Sequence, residues 1–477
     1  MRGGIWVFGL RMGVRALGMA RTIVLARVLA PDDFGLFGIA LLALSTLQAF
    51  SETGLSAALV QRKGDTKPYL DTAWTVQLIR GIALAAIVVL AAPYVGAFFA
   101  APAATPLLRV LALSLLVQGF TNVAVVYFQK ELEFHKQFAL YFTSAAVELI
   151  VAVSAAILLR SAWALIFGSL AGQLASTSMS YVVSPYRPRI AVEGSKIREL
   201  LGFGKWILGS TVLMFLVTQG DRAFVGKLLG VTALGLYQLA YRISNMPATE
   251  ITHVITQVAF PTYSKLQDEL DRLRRAYLRV LQLTAYVSTP VAVLIFVLAG
   301  DVTSLLLGEK WMPMVPALRI LVVAGYLRSL QATTGPAFMG LGRADIDTKA
   351  QMIRLLVLAT ALYPFAVWWG VEGAAAAVVL STFACLVWSV GKAIQMGVCG
   401  TKALVKAVSV PAANAALMAS ATYFCGSRLG SYGMVQLTSL AGAAVLVYAG
   451  ATLLLDRFSG YAARSLVRGS CAALRGT

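Results

Sequence analysis

Residues 73–99 read AWTVQLIRGIALAAIVVLAAPYVGAFF, an apolar run with a single charge at Arg80. A helix that crosses the hydrocarbon core of a bilayer needs about 20 predominantly apolar residues, so this run is long enough to span a membrane. Similar apolar runs recur along the whole chain. The runs lie at 7–29, 35–60, 73–99, 108–129, 138–159, 162–184, 204–228, 235–260, 280–299, 317–340, 350–369, 373–396, 403–425 and 433–455.

The overall composition agrees with the apolar runs. Of the 477 residues, 59% are hydrophobic and 13% are charged, and the mean hydropathy is +0.78. A soluble domain carries about 25% charged residues, so a soluble enzyme of this length is excluded. Fourteen spans use about 280 residues and leave no room for a large soluble domain. The predicted fold class is therefore an all-α polytopic membrane protein with about 14 transmembrane helices.

The basic residues outside the spans predict the orientation of the chain. If the N-terminus is cytoplasmic, the inner connections hold 23 Lys and Arg residues, while the outer connections hold only Arg160, Lys310 and Arg428. Cytoplasmic loops of membrane proteins collect Lys and Arg, so we expect both termini to be cytoplasmic. The same bias accounts for most of the net charge of +19, and no nucleic-acid partner is needed to explain it.

A faint internal repeat divides the chain. Ala26–Ala30 is followed by Gly35-Leu36-Phe37, and 200 residues later Gly226–Gly230 is followed by Gly235-Leu236-Tyr237. Repeated halves with a site between them are the usual plan of transporters, and six helices per half give a parallel repeat. The predicted domains are an N-lobe at 1–185 (helices 1–6), a cytoplasmic linker with an amphipathic helix at 186–203, a C-lobe at 204–397 (helices 7–12), and helices 13–14 with a basic cytoplasmic tail at 398–477.

Seven arginines fall well inside the predicted spans. Each costs about 2.5–3.5 kcal/mol at mid-helix if it faces lipid, so most must face partners or water. Their excess over acids predicts a wet, cationic cavity that binds an anion, and Arg suits a phosphate because its planar fork binds two oxygens. The alternative is that several form salt bridges between packed helices. The candidate substrate-binding residues are Arg15, Arg21, Arg80, Arg222, Arg242, Arg328 and Arg354.

The ionisable partners within the spans are too few to neutralise these arginines. They are Glu52, Glu148, Asp221, Glu250 and His253. Asp221 is a candidate either for an internal ion pair or for carrying a coupling proton or ion. Glu250 and His253 lie three residues apart on one helix, which suits either a structural polar pair or a proton relay.

No motif for catalysis, metal binding or nucleotide hydrolysis is present. The chain has two histidines, no CxxC pair and no GxxxxGK[ST] loop, so we expect no catalytic residue, no metal and no cofactor. The small-xxx-small pair Gly168/Gly172 predicts close helix packing.

Four segments together resemble the polysaccharide transporter (Wzx-type) flippase family, and most closely its colanic-acid and lipopolysaccharide exporters. They are ARVLAPDDFGLF at 26–37, FSETGLSAALVQR at 50–62, QVAFPTYSKLQ at 257–267 and GEKW at 308–311. The resemblance covers roughly residues 1–400. These segments resemble structural turns of the family and do not identify substrate contacts.

The resemblance implies the multidrug/oligosaccharidyl-lipid/polysaccharide exporter fold, with two six-helix lobes around a central cavity. It also implies a substrate, an undecaprenyl-pyrophosphate-linked oligosaccharide moved from the cytoplasmic to the periplasmic leaflet of the bacterial inner membrane by alternating access. A polysaccharide polymerase and export machinery are then expected partners. The alternatives are a flippase for lipid-linked peptidoglycan precursor, a multidrug antiporter of the same superfamily, or a membrane polysaccharide polymerase.

Overall fold

The computed structural model describes residues 2–52, 54, 59, 67–131, 133–246, 252–429 and 433–459. These residues are almost entirely helical and contain no strand. The helices are α1 (Arg2–Val28), α2 (Pro31–Phe50), α3 (Lys67–Phe98), α4 (Ala104–Leu111), α5 (Leu113–Gly119), α6 (Val126–Lys130), α7 (Phe134–Leu159), α8 (Trp163–Val183), α9 (Gly194–Leu229), α10 (Val231–Ser244), α11 (Thr252–Lys265), α12 (Leu270–Val297), α13 (Ala299–Val302), α14 (Val315–Gln331), α15 (Thr334–Gly340), α16 (Ala344–Gln395), α17 (Thr401–Leu429) and α18 (Met434–Ser459).

The helices confirm the predicted fold class. Within the described residues, 8 helices are long and apolar enough to cross a membrane. One of them, α16, has 52 residues but contains Gly370 at φ 58° and ψ −132°, a non-helical conformation that divides it into two consecutive helices. This confirms the turn that the sequence WGVEG at 369–373 predicts.

The predicted spans at 35–60 and 108–129 are among those that differ from the structure. Helix α2 ends at Phe50, ten residues before the predicted end at 60, and Gly54 adopts φ +66° beyond it. Glu52 therefore lies in a turn after the helix, where its carboxylate accepts the Gly54 N–H at 3.0 Å. The predicted span at 108–129 is broken after Gly119 because the Asn122 side chain accepts the Ala124 N–H at 3.0 Å and starts a short 3-10 turn.

The described chain forms two compact units, 1–236 and 237–477, and the boundary falls inside α10. In the first unit, α7 and α8 pack closely at Gly168, where an added Cβ would lie 2.5 Å from the Cβ of Ala152. In the second unit, the core is built around the fully buried rings of Tyr263, Tyr277 and Phe338.

Two turns that the predicted 200-residue offset relates lie against each other inside the first unit. A Cβ on Gly35 would lie 2.0 Å from the Val231 carbonyl oxygen, and a Cβ on Gly235 would lie 2.0 Å from the Pro31 carbonyl oxygen. Positions 231 and 235 are positions 31 and 35 displaced by the 200-residue offset of the repeat, so the contact is reciprocal. The Thr232 hydroxyl also donates to the Asp32 carboxylate. Only glycine lets the two backbones approach this closely.

The linker before α9 is fixed to the start of α3. The Tyr186 hydroxyl donates to the Asp71 carboxylate, which also accepts the Arg189 N–H at 2.9 Å. Burial and this hydrogen bond raise the pKa of Tyr186. The predicted surface helix of the linker is not separate, because residues 194–203 are the first turns of the 36-residue helix α9.

Candidate functional site

In the first unit, the side chain of Arg80 on α3 contacts the end of α2. Its Nε and Nη2 atoms donate to the Ser51 hydroxyl at 3.2 and 3.1 Å, and Nη2 also donates to the Gln48 carbonyl at 3.0 Å. The Glu52 carboxylate lies 3.7 Å away, so the last turn of α2 and the residues just after it supply these oxygens. The Arg80 side chain keeps 25% of its surface exposed.

Three glutamine amides lie around this arginine. Gln48 donates from Nε2 to the Gln118 side-chain oxygen at 2.8 Å, and Gln77 donates to the backbone carbonyls of Gln118, Gly119 and Thr121 at 3.1, 3.3 and 3.0 Å. We call Arg80, Gln48, Ser51, Gln77 and Gln118 the amide–arginine cluster. Its Gln118 side chain is exposed.

The amides were not among the residues predicted from the sequence. The available signal was their presence within otherwise apolar runs, where an uncompensated amide is costly. Their grouping depends on close packing of α3 against α5, since a Cβ on Gly81 would lie 2.8 Å from the Leu115 carbonyl oxygen. Amides and guanidinium groups together offer the donors and acceptors that sugar hydroxyls need.

Arg21 has an acidic partner in the same unit. It forms an ion pair with Glu148 of α7, and the two side chains are 19% and 28% exposed. The backbone around this pair is tightly packed, because a Cβ on Gly172 of α8 would lie 2.9 Å from the Cβ of Glu148. Arg21 is therefore charge-neutralised by the protein, as the salt-bridge alternative predicts, while Arg15 is half-buried on the same helix.

Asp221 and Arg222 lie next to each other on α9. Asp221 is only 2% exposed, and its carboxylate accepts the backbone N–H of Arg222 at 2.9 Å. The Arg222 guanidinium donates to the Gln219 side-chain oxygen at 2.7 Å.

In the second unit, Arg328 of α14 lies over the ring of Tyr241. Its Nη1 atom donates to the Tyr241 hydroxyl, and its guanidinium carbon is 4.8 Å from the ring centroid. The Nε and Nη2 atoms are buried and make no hydrogen bond within the described part of the chain, so these two donors have no protein acceptor there. The neighbouring Arg242 is exposed in the last turn of α10.

The structure places Arg354 differently from the other candidates. It is 6% exposed on α16, inside the second unit. The Gln331 amide of α14 donates to the Cys385 thiol at 2.6 Å across the same pair of helices. A side chain so deeply buried within its own helix packing has little surface to offer to a substrate.

Two predicted groups fall at the limits of the described chain. Glu250 lies outside the described residues. His253 belongs to α11, but its side chain is not described, so their suggested pairing stays a prediction. The described residues contain no group of three or more His, Cys, Asp and Glu side chains that could hold a metal ion.

Solved structures with the same fold define the class of this protein. The lipid II flippase MurJ in an inward closed conformation matches with a TM-score of 0.76 at 14% identity, covering 95% of this chain and 98% of that chain. An inward-facing multidrug resistance MATE family transporter of the MOP superfamily matches with a TM-score of 0.66 at 17% identity, covering 80% of this chain and 94% of that chain. The chain thus has the polytopic all-α fold found in these membrane transporters.

The chain belongs to the family of polysaccharide biosynthesis proteins whose family model matches residues 24–316. It is 26% identical over 352 residues to the lipopolysaccharide biosynthesis protein WzxC of Escherichia coli K12, covering 72% of this chain and 71% of that protein. It is 24% identical over 341 residues to the succinoglycan biosynthesis transport protein ExoT of Rhizobium meliloti, covering 72% of this chain and 69% of that protein.

Proposed function

We propose that this protein is a flippase that moves lipid-linked oligosaccharide units across the bacterial inner membrane for surface polysaccharide biosynthesis. The observation that carries the proposal is the family match over residues 24–316 of a chain whose membrane helices hold several arginines. Relatives named for polysaccharide biosynthesis and transport support it, as does the fold shared with a lipid flippase. The function is transport, and the protein is not an enzyme.

The carrier that suits these arginines is an undecaprenyl pyrophosphate. Arg328 is the strongest candidate for binding the pyrophosphate, since its Nε and Nη2 donors are not used by the described protein groups. Arg80 and Arg222 keep part of their surface exposed, and Arg242 is exposed. Arg15 remains a candidate from the sequence. We assign Arg21 and Arg354 to structural roles instead, because the first is paired and the second is buried.

The amide–arginine cluster is the candidate contact for the sugars. The exposed Gln118 offers its amide N–H donors, and the half-buried Gln48 and Gln77 offer side-chain carbonyl acceptors. These groups can bind sugars with different arrangements of hydroxyls. The cluster therefore predicts that the protein accepts several sugars and does not select one strictly.

We further propose that both termini are cytoplasmic and that transport runs outward by alternating access. The count of 23 basic residues in the inner connections against three in the outer ones supports the orientation. An inside-negative potential then helps to move an anion outward by about 2.3 kcal/mol per charge per 100 mV. A polysaccharide polymerase on the periplasmic side would consume the exported units.

The test is a strain that lacks this gene, in which surface polysaccharide and the sidedness of its lipid-linked units are measured together. We expect loss of surface polymer with intact units on the cytoplasmic leaflet, and restoration by the wild-type protein. Units that already face the periplasm in the deletion strain would contradict the proposal and favour a polymerase.

Arginine variants then test the assignment of residues. Arg328→Ala should fail to restore export at a normal protein level, whereas Arg275→Ala, at an exposed position on α12, should restore it. Full export from Arg328→Ala would remove this residue from the substrate site without contradicting the family.

A further inference from the structure

An open groove with a volume of about 370 Å³ lies along the first turns of α17. Its lining residues are Thr401, Lys402, Val405, Lys406 and Ser409. Residues three and four positions apart lie on one face of a helix, so the five side chains form a continuous strip. We call this strip the α17 groove. It lies beyond residues 24–316, which the family model matches.

The α17 groove is cationic and lacks protein counter-charges. Lys402 and Lys406 are exposed, and neither forms a hydrogen bond or ion pair within the described residues. The Ser409 hydroxyl has no described partner either, and none of the five lining residues is acidic. Two like charges four residues apart destabilise a helix, so this arrangement is unfavourable until an anion is shared between them.

The position of the groove along the helix indicates where that anion lies. Residues Thr401–Cys425 are long and apolar enough to span a membrane, so Lys402 and Lys406 lie in the first two turns at one end of the span. Lysine stems extend along apolar surface and place the ammonium group at the level of the lipid headgroups. Val405 lies between the two lysines and is 56% exposed, which gives the groove an apolar centre.

Arg274 adds a third cation beside the groove. A Cβ on Gly400 would lie 2.5 Å from the Nη2 atom of Arg274, so this guanidinium lies directly against the residue that precedes α17. A phosphate near the first turn of α17 would thus meet charge from two helices of the second unit.

We propose that the α17 groove binds the headgroup of an anionic phospholipid of the surrounding membrane. The phosphate lies between the ammonium groups of Lys402 and Lys406, and Val405 contacts the glycerol backbone of the lipid. The Ser409 hydroxyl, further into the span, donates to an ester oxygen where the acyl chains begin. Charge complementarity favours an anionic lipid over a zwitterionic one, and the apolar centre favours a lipid over free phosphate. The inference does not depend on which substrate the protein transports.

The test is a lipid titration of the full-length protein in neutral detergent, followed by native mass spectrometry. Phosphatidylglycerol is the anionic probe and phosphatidylcholine is the zwitterionic one. The variant is Lys402→Gln/Lys406→Gln. The matched control is Arg275→Gln/Arg279→Gln. It also removes two positive charges four residues apart, but from exposed positions of α12.

A basic residue near an anionic membrane surface contributes about 1 kcal/mol, so loss of both lysines should weaken phosphatidylglycerol binding about 30-fold. The control variant should stay within a few-fold of the wild type, and phosphatidylcholine binding should not change. Val405→Glu, which keeps both lysines but places an acid in the groove, should weaken phosphatidylglycerol binding as well.

Equal weakening in both double variants would overturn the proposal, since it would indicate a general effect of net charge. Unchanged binding in Lys402→Gln/Lys406→Gln would also overturn it. Geranylgeranyl pyrophosphate serves as a competitor: if it displaces phosphatidylglycerol at far lower concentration from the wild type but not from the lysine variant, the groove binds a polyprenyl pyrophosphate instead. Each outcome is independent of the export assay in the deletion strain.

Discussion

Arg21 and Arg328 both lie within spans predicted from the sequence, yet the protein surrounds them in opposite ways. Arg21 of the first unit is paired with the carboxylate of Glu148. Arg328 of the second unit has a tyrosine hydroxyl and ring for partners, and its Nε and Nη2 atoms make no hydrogen bond within the described chain. The charge of Arg21 is balanced by a carboxylate, whereas no ion pair of Arg328 is seen among the residues that the structure describes.

This difference shows that an arginine within a span does not by itself indicate a binding residue. A paired arginine holds two helices together, and its loss leaves an uncompensated carboxylate. An arginine that faces a neutral partner retains donors for a ligand, and its loss should affect binding more than folding. The following changes separate the two roles.

The largest effect is expected from Gly168→Leu, which disrupts the packing that supports the Arg21–Glu148 pair. A Cβ at this position would lie 2.5 Å from the Cβ and 3.0 Å from the Cα of Ala152, so the α7 backbone itself must shift. Overpacking costs about 1–3 kcal/mol, and here no flexible side chain can yield, so most of the folded protein should be lost. Size-exclusion chromatography of a fluorescent fusion measures the folded fraction.

The control is Gly209→Leu, because an added Cβ at Gly209 meets nothing within 4 Å. A normal folded yield for Gly168→Leu, or an equal loss in both variants, would show that the α7–α8 contact does not support the first unit.

The second prediction concerns Arg328→Ala, which should reduce export without reducing folded protein. Hydrogen bonds to a charged group contribute about 1.5–3 kcal/mol, so export should fall about 10- to 100-fold at equal protein level. Arg328→Lys keeps the charge but loses the planar fork, and should recover little. The rate at which lipid-linked units reach the periplasmic leaflet is the measurement. If folded protein falls as much as export does, Arg328 stabilises the fold and is not shown to bind the substrate.

The third prediction is that Arg21→Ala lowers stability and that a second change restores it. Removing one partner of a part-buried pair leaves Glu148 uncompensated and should cost about 1–3 kcal/mol. Arg21→Ala/Glu148→Ala removes both charges, so its thermal stability in detergent should lie closer to the wild type. If the double variant is no more stable than the single one, Arg21 does not act through Glu148.

The smallest effect is expected from Tyr241→Phe. It keeps the ring 4.8 Å from the Arg328 guanidinium but removes the hydroxyl that accepts from Nη1. The hydroxyl only positions the guanidinium and the ring still lies under it, so export should fall only a few-fold while folded protein stays constant. An effect as large as that of Arg328→Ala would give the hydroxyl itself a direct role in transport.

Much of the fold could be predicted from the sequence because the hydrocarbon of a membrane restricts which backbone conformations are stable. Apolar runs of spanning length must be helical, since an unpaired backbone group in hydrocarbon is too costly. The break at Gly370 was predicted because a Trp-Gly-Val-Glu-Gly turn lies between two such runs. The end of α2 at Phe50 was not predicted, because the apolar pattern continues to residue 60. The turn there depends on local hydrogen bonds of Ser51 and Glu52.

The candidate site was less predictable than the fold. The sequence identified seven arginines as one group, but the structure separates Arg21, paired with Glu148, and Arg354, only 6% exposed, from the others. The glutamines of the amide–arginine cluster were missed. Gln48 and Gln118 are 70 positions apart, and no local pattern indicates that they share a hydrogen bond.

The sequence by itself determined that this protein is a polytopic helical membrane protein and that it carries more arginine than acid in its predicted spans, and it predicts halves related by a 200-residue offset. These properties follow from composition and spacing, which act along the chain. Only the tertiary structure decided which arginines are neutralised, which glutamines gather around Arg80, and that Gly35 and Gly235 each touch the other copy's turn. Those outcomes depend on which helices pack together, because a charge or an amide gains its partner across helices rather than along one.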